Sequence, residues 1–366
     1  MDPCRVNIVG SPRRKPINYL SVIFFAVTAI VNSQADAVAP ARKVELVQDY
    51  RPKVQAGTLD LFIPLPFENA NYQKLLSEKY ESNATWVKEE VVPLNKSGDS
   101  VRLFHAHWVQ IDKPSLRLWQ VISISDRDSG VPAKSADPSF LRTTEHIQTD
   151  GEVKETAEKI TKGLSDPDEK AKAIYDWLVD NSLPDLRSST CGEVDLKTML
   201  PTDSKATATR SSEKCADPNA LFVGLARAAG IPAREVWGLR ITPSTRPKSL
   251  KKAEDAAKAQ HGRAEYYSKI KKAWFPVDPV DVRAIIRDEE LSPQDARLKE
   301  LRPRFFGAWE GNWVAYNYGR DFQLATGKKV NYLMSPLLFS GEFPPTSMDS
   351  AESGYSFSAK VLPERY

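Results

Sequence analysis

The sequence predicts an α+β protein in which a β-sandwich-like domain precedes a domain of helices and strands. Residues 44–145 hold short segments rich in β-branched and aromatic residues, separated by turn-forming residues, as is typical of a sandwich. Beyond them, apolar residues recur first at helical spacing and then in short strand-like runs, an order typical of α+β domains. A chain of 366 residues is longer than one ordinary domain needs, which favours two domains.

Residues 1–39 are predicted to be a signal peptide rather than part of the fold. Basic residues at positions 5 and 13–15 precede an apolar run at residues 19–31, which is short for a membrane-spanning helix. Small residues then offer cleavage sites after Ala35 or Ala37. We expect a periplasmic or secreted protein with no stable membrane span after cleavage; an uncleaved N-terminal anchor is the alternative.

Composition and charge argue against several classes of function. Lysines and arginines number 51 against 48 acidic residues, and no basic stripe interleaved with aromatic residues points to nucleic acid. Three cysteines are too few for a disulfide scaffold, and no C-x-x-C pair suggests a thiolate zinc site. The mixed-charge run at residues 248–258 is interpreted as a solvated helix or loop face.

The β-rich domain is assigned to residues 40–145. Its predicted strands are residues 59–66, 86–94, 101–111 and 116–124. His105 and His107 lie two positions apart on one of them and therefore face the same side of the sheet. Two histidines can begin a metal site, but no third ligand accompanies them, so a pair on the strand surface is favoured.

The second domain is assigned to residues 146–290 and opens with helices. Asp166 is a suitable N-cap and Pro167 suits the first helical position. A second helix is predicted at residues 217–229, where Gly230 ends it. The strands that should follow are residues 234–242, 261–268 and 273–277. The C-terminal extension, residues 291–366, is expected to hold one helix and several strands.

Cys215 lies at or just before the start of the helix predicted at residues 217–229. The partial positive charge of a helix N-terminus stabilises a thiolate, and Lys214 adds to it. By itself a cysteine in an apolar helix is more often a small core residue. Two further residues change that balance: His261, which is the only histidine after Cys215, and Asp278, at the end of the next strand. A cysteine nucleophile needs a base and the base an orienting group, and adjacent strands can bring these two together.

Three segments, in this order, resemble the motifs of the transglutaminase-like superfamily. Residues 214–234 resemble its nucleophile block, in which a cysteine runs into a helix, a Gly-Ile-Pro-Ala-Arg turn and a strand. Residues 261–267 are similar to its histidine strand, and residues 274–279 (Trp-Phe-Pro-Val-Asp-Pro) to its closing strand. The resemblance covers about residues 150–290.

This resemblance implies a papain-like transglutaminase core with Cys215 as nucleophile, His261 as general base and then acid, and Asp278 orienting the imidazole. It also implies attack on an amide carbonyl of a protein or peptide, a thioester acyl-enzyme, and release to water or to an amine. The mechanism requires no metal and no organic cofactor. A non-catalytic scaffold or protein-binding module that retains the core is the alternative, against which the intact Cys, His and Asp set argues.

Several positions depart from the family pattern. Glu213 stands where a glycine is usual, Arg263 where an aromatic residue is usual, and Ala216 where animal transglutaminases have tryptophan. These departures weaken the case for animal-type crosslinking. Cys191, in a segment that resembles part of some bacterial members, is not the expected nucleophile. One hypothesis is that it forms an inactivating disulfide with Cys215 in an oxidising compartment, which thiol counting with and without reductant would test.

Overall fold

A computed structural model of the chain describes residues 41–53, 57–109, 113–181, 195–200, 218–247, 249–250, 256–341 and 344–363. The predictions for the signal peptide, for Cys191 and for Cys215 lie outside these residues. So does most of the mixed-charge run at residues 248–258.

Within the described residues the strands are β1 (Arg42–Tyr50), β2 (Thr58–Pro64), β3 (Asn69–Ala70), β4 (Gln73–Ser82), β5 (Trp86–Pro93), β6 (Ser100–Val109), β7 (Leu116–Ile124), β8 (Val131–Pro132), β9 (Ala233–Arg240), β10 (Arg263–Ser268), β11 (Ala273–Val277), β12 (Trp313–Asn317), β13 (Arg320–Gln323), β14 (Lys329–Tyr332), β15 (Leu337–Ser340), β16 (Thr346–Ser347) and β17 (Tyr355–Val361). The helices are α1 (Gly151–Ile160), α2 (Pro167–Asn181), α3 (Pro218–Ala228), α4 (Ala256–Ala259), α5 (Pro279–Asp288) and α6 (Ala296–Arg304), with 3-10 turns at Pro138–Leu141 and Leu196–Met199.

The predicted α+β class is confirmed, and the N-terminal region is rich in strands. Two five-stranded sheets, in the orders β17-β1-β7-β4-β3 and β16-β15-β2-β6-β5, form a sandwich. Side chains such as Leu61, Trp108 and Leu118 are buried between them in one apolar cluster. In β7 buried positions alternate with more exposed ones, as the period of two in a strand requires.

The C-terminal strands complete both sheets of this sandwich. β17 pairs with β1, and β15 pairs with β2, both antiparallel. Tyr355 of β17 stacks on Tyr50 of β1 with 5.1 Å between the ring centroids. The described residues belong to one compact unit.

A third sheet has the strand order β12-β9-β10-β11-β8, and four of its five strands come from the second half of the chain. α3 packs on β9 and β10 and also contacts α1, α2 and α5. The sheet also packs on the sandwich, because Leu239 and Val314 share an apolar cluster with Leu46 and Ile122. Among the described helices, none combines the length and the apolar composition that crossing a bilayer requires.

Candidate active site

Helix α3 lies within the apolar cluster that the helices share with the third sheet, and it is buried along almost its whole length. Every residue from Pro218 to Arg227 is buried, which agrees with a sequence that is apolar on all sides rather than on one stripe. The helix ends at Ala228, and two residues later the chain turns at Gly230, which has a φ of +80°, a conformation that glycine adopts without a steric penalty. The first turn of α3 points at the loop before β10 and at the end of β11, where His261 and Asp278 lie. Cys215 itself lies outside the described residues.

The backbone of His261 is fixed on both sides. Its N–H donates to the carbonyl of Gly238 at 3.0 Å, and its carbonyl accepts from the indole Nε1 of Trp313 at 2.8 Å. Gly238 has no room for a side chain, because a Cβ there would lie 2.1 Å from the carbonyl oxygen of Val314 and 2.5 Å from the Trp313 ring. The side chain is 11% exposed, so it is largely but not fully enclosed.

Asp278 ends the strand β11 and caps the helix α5. Its Oδ1 accepts from the backbone N–H of Asp281 at 3.1 Å, as an N-cap carboxylate does, and Pro279 occupies the first helical position. Its Oδ2 accepts from Nε2 of His261 at 2.8 Å. The structure therefore brings two of the three residues singled out from the sequence into direct contact.

Asn219, in the first turn of α3, joins this pair. Its Nδ2 donates to the carbonyl of Gly262 at 2.6 Å and lies 3.4 Å from Oδ1 of Asp278. Asn219 was not among the site residues predicted from the sequence. A polar residue in an otherwise apolar helix was the signal that could have found it, because such a residue needs a hydrogen-bonding partner when buried.

Buried charges surround the His261–Asp278 pair. Arg263, at the position where an aromatic residue was expected, donates from Nε to Oδ2 of Asp278 at 3.2 Å. Arg240 donates to Oδ1 of Asp281 at 2.7 Å. Burial raises the pKa of Asp278, but the His261 imidazole and the Arg263 guanidinium outweigh this and hold it well below its usual range. Asp278 is therefore ionised at neutral pH.

His261, Asp278 and Asp281 could supply ligand atoms to a metal ion, since these atoms lie within 4.8 Å of one another. Arg240 and Arg263 contact the same two carboxylates. The guanidinium groups balance the charge that would attract a divalent cation, so the donor set fits an ion-pair network better than a metal centre.

The histidine pair on β6 forms a separate cluster. His105 and His107 face the same side of the sheet, as predicted, and both contact Oδ1 of Asp60, at 2.8 and 2.7 Å. His105 also contacts Glu90 at 2.9 Å and is buried, unlike the surface pair that was expected. Burial lowers the pKa of His105, but its hydrogen bonds to the two carboxylates outweigh this and raise it. Both ring nitrogens of His105 are engaged by carboxylates, so neither is free to bind a metal ion.

Comparisons with known proteins agree with this architecture. The family model of the transglutaminase-like superfamily matches residues 154–279. An uncharacterised protein of Haemophilus influenzae is 33% identical, in an alignment that covers 92% of this chain and 95% of the relative. A crystal structure of a proposed cysteine protease from Cytophaga hutchinsonii aligns over 90% of this chain and 93% of its own, with a TM-score of 0.52 and 18% identity, which shows a shared fold. The resemblance inferred from the motifs is confirmed: the chain belongs to the transglutaminase-like superfamily.

Proposed function

We propose that this protein is an exported cysteine enzyme that acts on amide bonds of proteins or peptides, with Cys215, His261 and Asp278 as its catalytic residues. The observation that carries the proposal is the contact of Asn219 with Gly262 and Asp278, which ties the first turn of α3 to the His–Asp pair. Cys215 precedes Pro218 by three residues, a length of chain that spans at most about 11 Å. This reach is long enough for the thiol to contact the imidazole, as the proposal requires.

The hydrogen bond between His261 and Asp278 determines which ring nitrogen is available for proton transfer. With Nε2 donating to the ionised Asp278, the neutral imidazole carries its proton on Nε2 and presents a lone pair on Nδ1. Nδ1 is then the atom that takes the proton of the thiol. Asp278 stabilises the imidazolium that forms and holds the ring in this tautomer.

The proposed reaction has two halves. In the first, the thiolate attacks the carbonyl carbon, and the tetrahedral intermediate collapses to a thioester when the imidazolium gives its proton to the leaving nitrogen. In the second, a water or an amine attacks the thioester while Nδ1 accepts its proton, and the Cys215 sulfur leaves as thiolate. The backbone N–H of Cys215 is the proposed oxyanion donor. The name of the Cytophaga protein, a proposed cysteine protease, makes water the first acceptor to test.

The test is the rate at which iodoacetamide alkylates Cys215 as a function of pH, in a protein carrying Cys4→Ser and Cys191→Ser. A thiolate–imidazolium pair reacts rapidly already near pH 6, and we expect a rate there about 10- to 100-fold above that of the His261→Ala variant. His146→Ala is the matched control, because His146 pairs with Asp321 and makes no hydrogen bond to Asp278. That variant should keep the rapid reaction.

The alternative, a binding module without catalytic activity, predicts a different profile. Its thiol would react slowly and only near the free-thiol pKa of about 8.5, with no effect of His261→Ala. That outcome would exclude the resting thiolate–imidazolium pair. A positive result leads directly to a screen of peptides, in which mass spectrometry distinguishes cleavage from transfer to an added amine.

Export forms the second part of the proposal and is supported by the basic, apolar and small-residue segments of residues 1–39. We expect the protein recovered from the extracytoplasmic fraction to begin at Asp36 or Val38. N-terminal sequencing of that fraction checks this expectation. Recovery of the intact chain from the cytoplasm would contradict it.

A further inference from the structure

A second carboxylate lies beside the imidazole of His261. Oδ1 of Asp281 is 3.5 Å from Nε2 of His261, compared with 2.8 Å for Oδ2 of Asp278. Asp281 is 2% exposed. The two carboxylates therefore converge on one ring nitrogen from the first turn of α5, in which the Asp281 N–H donates to Asp278.

Arg240 holds Asp281 in this position. Its Nη2 donates to Oδ1 of Asp281 at 2.7 Å, the same oxygen that faces His261. Oδ2 of Asp281 has no hydrogen-bond partner among the described residues and lies 3.9 Å from Nη2 of Arg263. This carboxylate thus retains capacity to accept a further hydrogen bond.

Two carboxylates and two guanidinium groups surround His261, so the charges of these four groups cancel when the imidazole is neutral. Asp278 and Asp281 face it from α5, with Arg263 on β10 and Arg240 on β9 behind them. The carboxylate of Glu310 is bound by Ser244 and Thr245, and α3 contributes the neutral amide of Asn219, which donates to the carbonyl of Gly262. When His261 accepts a proton, the carboxylates are its closest charged neighbours and stabilise the imidazolium.

We propose that Asp281, held by Arg240, is a second positioning residue for His261. Asp281 then stabilises the imidazolium charge together with Asp278, and it accepts the hydrogen bond from Nε2–H when Asp278 cannot accept it. The inference rests on the proposed function, since it concerns the same imidazole. A movement of the ring by less than about 1 Å would give Asp281 an ordinary hydrogen-bond distance. No second base and no metal are needed.

If Asp281 has this role, the Asp278→Asn variant should keep more activity than the same substitution leaves in a triad with one carboxylate. In a catalytic triad with one carboxylate, replacing that Asp by Asn lowers kcat by about 10⁴-fold, because the imidazole adopts the wrong tautomer. Here we expect the alkylation rate of Cys215 near pH 6 to fall by about threefold at most, because Asp281 preserves the tautomer. Asparagine remains a good N-cap, so α5 keeps its first turn.

The experiment is a double-mutant cycle on the pH profile of Cys215 alkylation, with Cys4→Ser and Cys191→Ser throughout. Asp278→Asn and Asp281→Asn should each retain rapid reaction near pH 6, whereas the double variant should react as a free thiol. The loss in the double variant should exceed the product of the two single losses by at least about tenfold, the signature of coupled residues. If Asp281→Asn unfolds because Arg240 loses its partner, Arg240→Gln with Asp281→Asn keeps the network neutral.

A matched control separates this coupling from a general effect of removing a buried carboxylate. Glu235→Gln on β9 breaks the buried ion pair with Arg320 and touches neither His261 nor Asp278, so its pH profile should stay unchanged. The role of Asp281 is refuted if Cys215 of the Asp278→Asn variant already reacts as a free thiol, or if the double variant has the same pH profile as Asp278→Asn. Neither outcome contradicts the proposed cysteine enzyme. A wild-type profile without the rapid reaction near pH 6 would refute the proposed function, and this inference with it.

Discussion

Asp278 combines a structural and a chemical role in one buried side chain. One oxygen caps α5 and the other accepts from His261 and Arg263. Burying a carboxylate is unfavourable unless it is paired and hydrogen-bonded, and Asp278 meets both conditions. The same contacts that order the imidazole therefore also stabilise the fold.

This pairing predicts a pH-dependent contribution to stability. The pKa of Asp278 is lower in the folded protein than in the unfolded chain, where it is about 3.9. The contribution should therefore be present above about pH 4 and lost as the pH falls toward the folded value. Asp278→Asn should lower the free energy of unfolding near neutral pH by about 1.5–3 kcal/mol.

Urea unfolding followed by tryptophan fluorescence, at steps from pH 7 to pH 2, measures the difference between wild type and Asp278→Asn. We expect that difference to shrink as the medium becomes more acidic. A difference that stays constant over the whole range would show that the depressed pKa of Asp278 does not contribute to folding.

Arg263 shows how this chain accommodates a departure from the family pattern. Its guanidinium carbon lies 4.7 Å from the ring centroid of Trp313 and 5.5 Å from that of Trp309. A planar, delocalised cation stacks in an aromatic environment much as an aromatic side chain does. The substitution thus keeps the packing and adds a countercharge for Asp278.

At the scale of helices and strands, the elements with strong local signals were predicted closely. The strand predicted at residues 273–277 is β11 (Ala273–Val277), and the helix predicted at residues 217–229 contains α3 (Pro218–Ala228). Both have apolar runs bounded by clear terminating residues, such as Gly230 after α3. Local chemistry was enough to determine these boundaries.

Four of the longer regular elements, β1, β4, α1 and α5, were not predicted from the sequence. β4 is exposed at most positions, so it lacks the alternation that marks a strand. Within α1 only Val153 and Ala157 are buried, too few for a clear helical stripe. Buried and more exposed positions alternate along most of β1, so its sequence does carry a strand signal. The sequence also marks the start of α5, because Asp278 is a suitable N-cap and is followed by proline.

The residues of the candidate site also differ in whether the sequence alone could predict them. His261 and Asp278 could be proposed from sequence because each lies at the end of a recognisable strand motif on neighbouring strands. Arg240 and Asp281 could not, because their ion pair joins β9 to α5 and exists only after the sheet and the helix have packed. Their charges carry no sequence signal that distinguishes them from solvated surface residues.

At the scale of the whole molecule, the first and last described strands pair with each other in one sheet of the sandwich. β17 pairs with β1 from Tyr355 to Val361, and the hydroxyl of Tyr355 donates to Gln48. The other neighbour of β1 is β7, and the apolar cluster they share with Leu239 and Val314 reaches the sheet that carries the site. Loss of the C-terminal strand should therefore also affect the sheet that carries the site.

A chain that ends at Asp349 tests this connection. Loss of β17 exposes β1 as an unprotected edge and removes the buried ring of Tyr355, 3% exposed, from its stack on Tyr50. Deleting one large buried aromatic side chain costs about 3–5 kcal/mol, so we expect at least that loss in the free energy of unfolding. Circular dichroism during urea unfolding measures it.

A chain that ends at Pro363 is the matched control, because it keeps β17 and the hydrogen bond from Leu362 to Lys43. It should unfold like the full chain. The decisive comparison is the alkylation of Cys215 in the shorter chain at a urea concentration that leaves the control folded. If β1 and β7 support the sheet of His261, the rapid reaction near pH 6 should disappear together with the sandwich in one transition. A site that outlasts the sandwich would show that the second domain folds independently, and that the C-terminal strands stabilise the first domain alone.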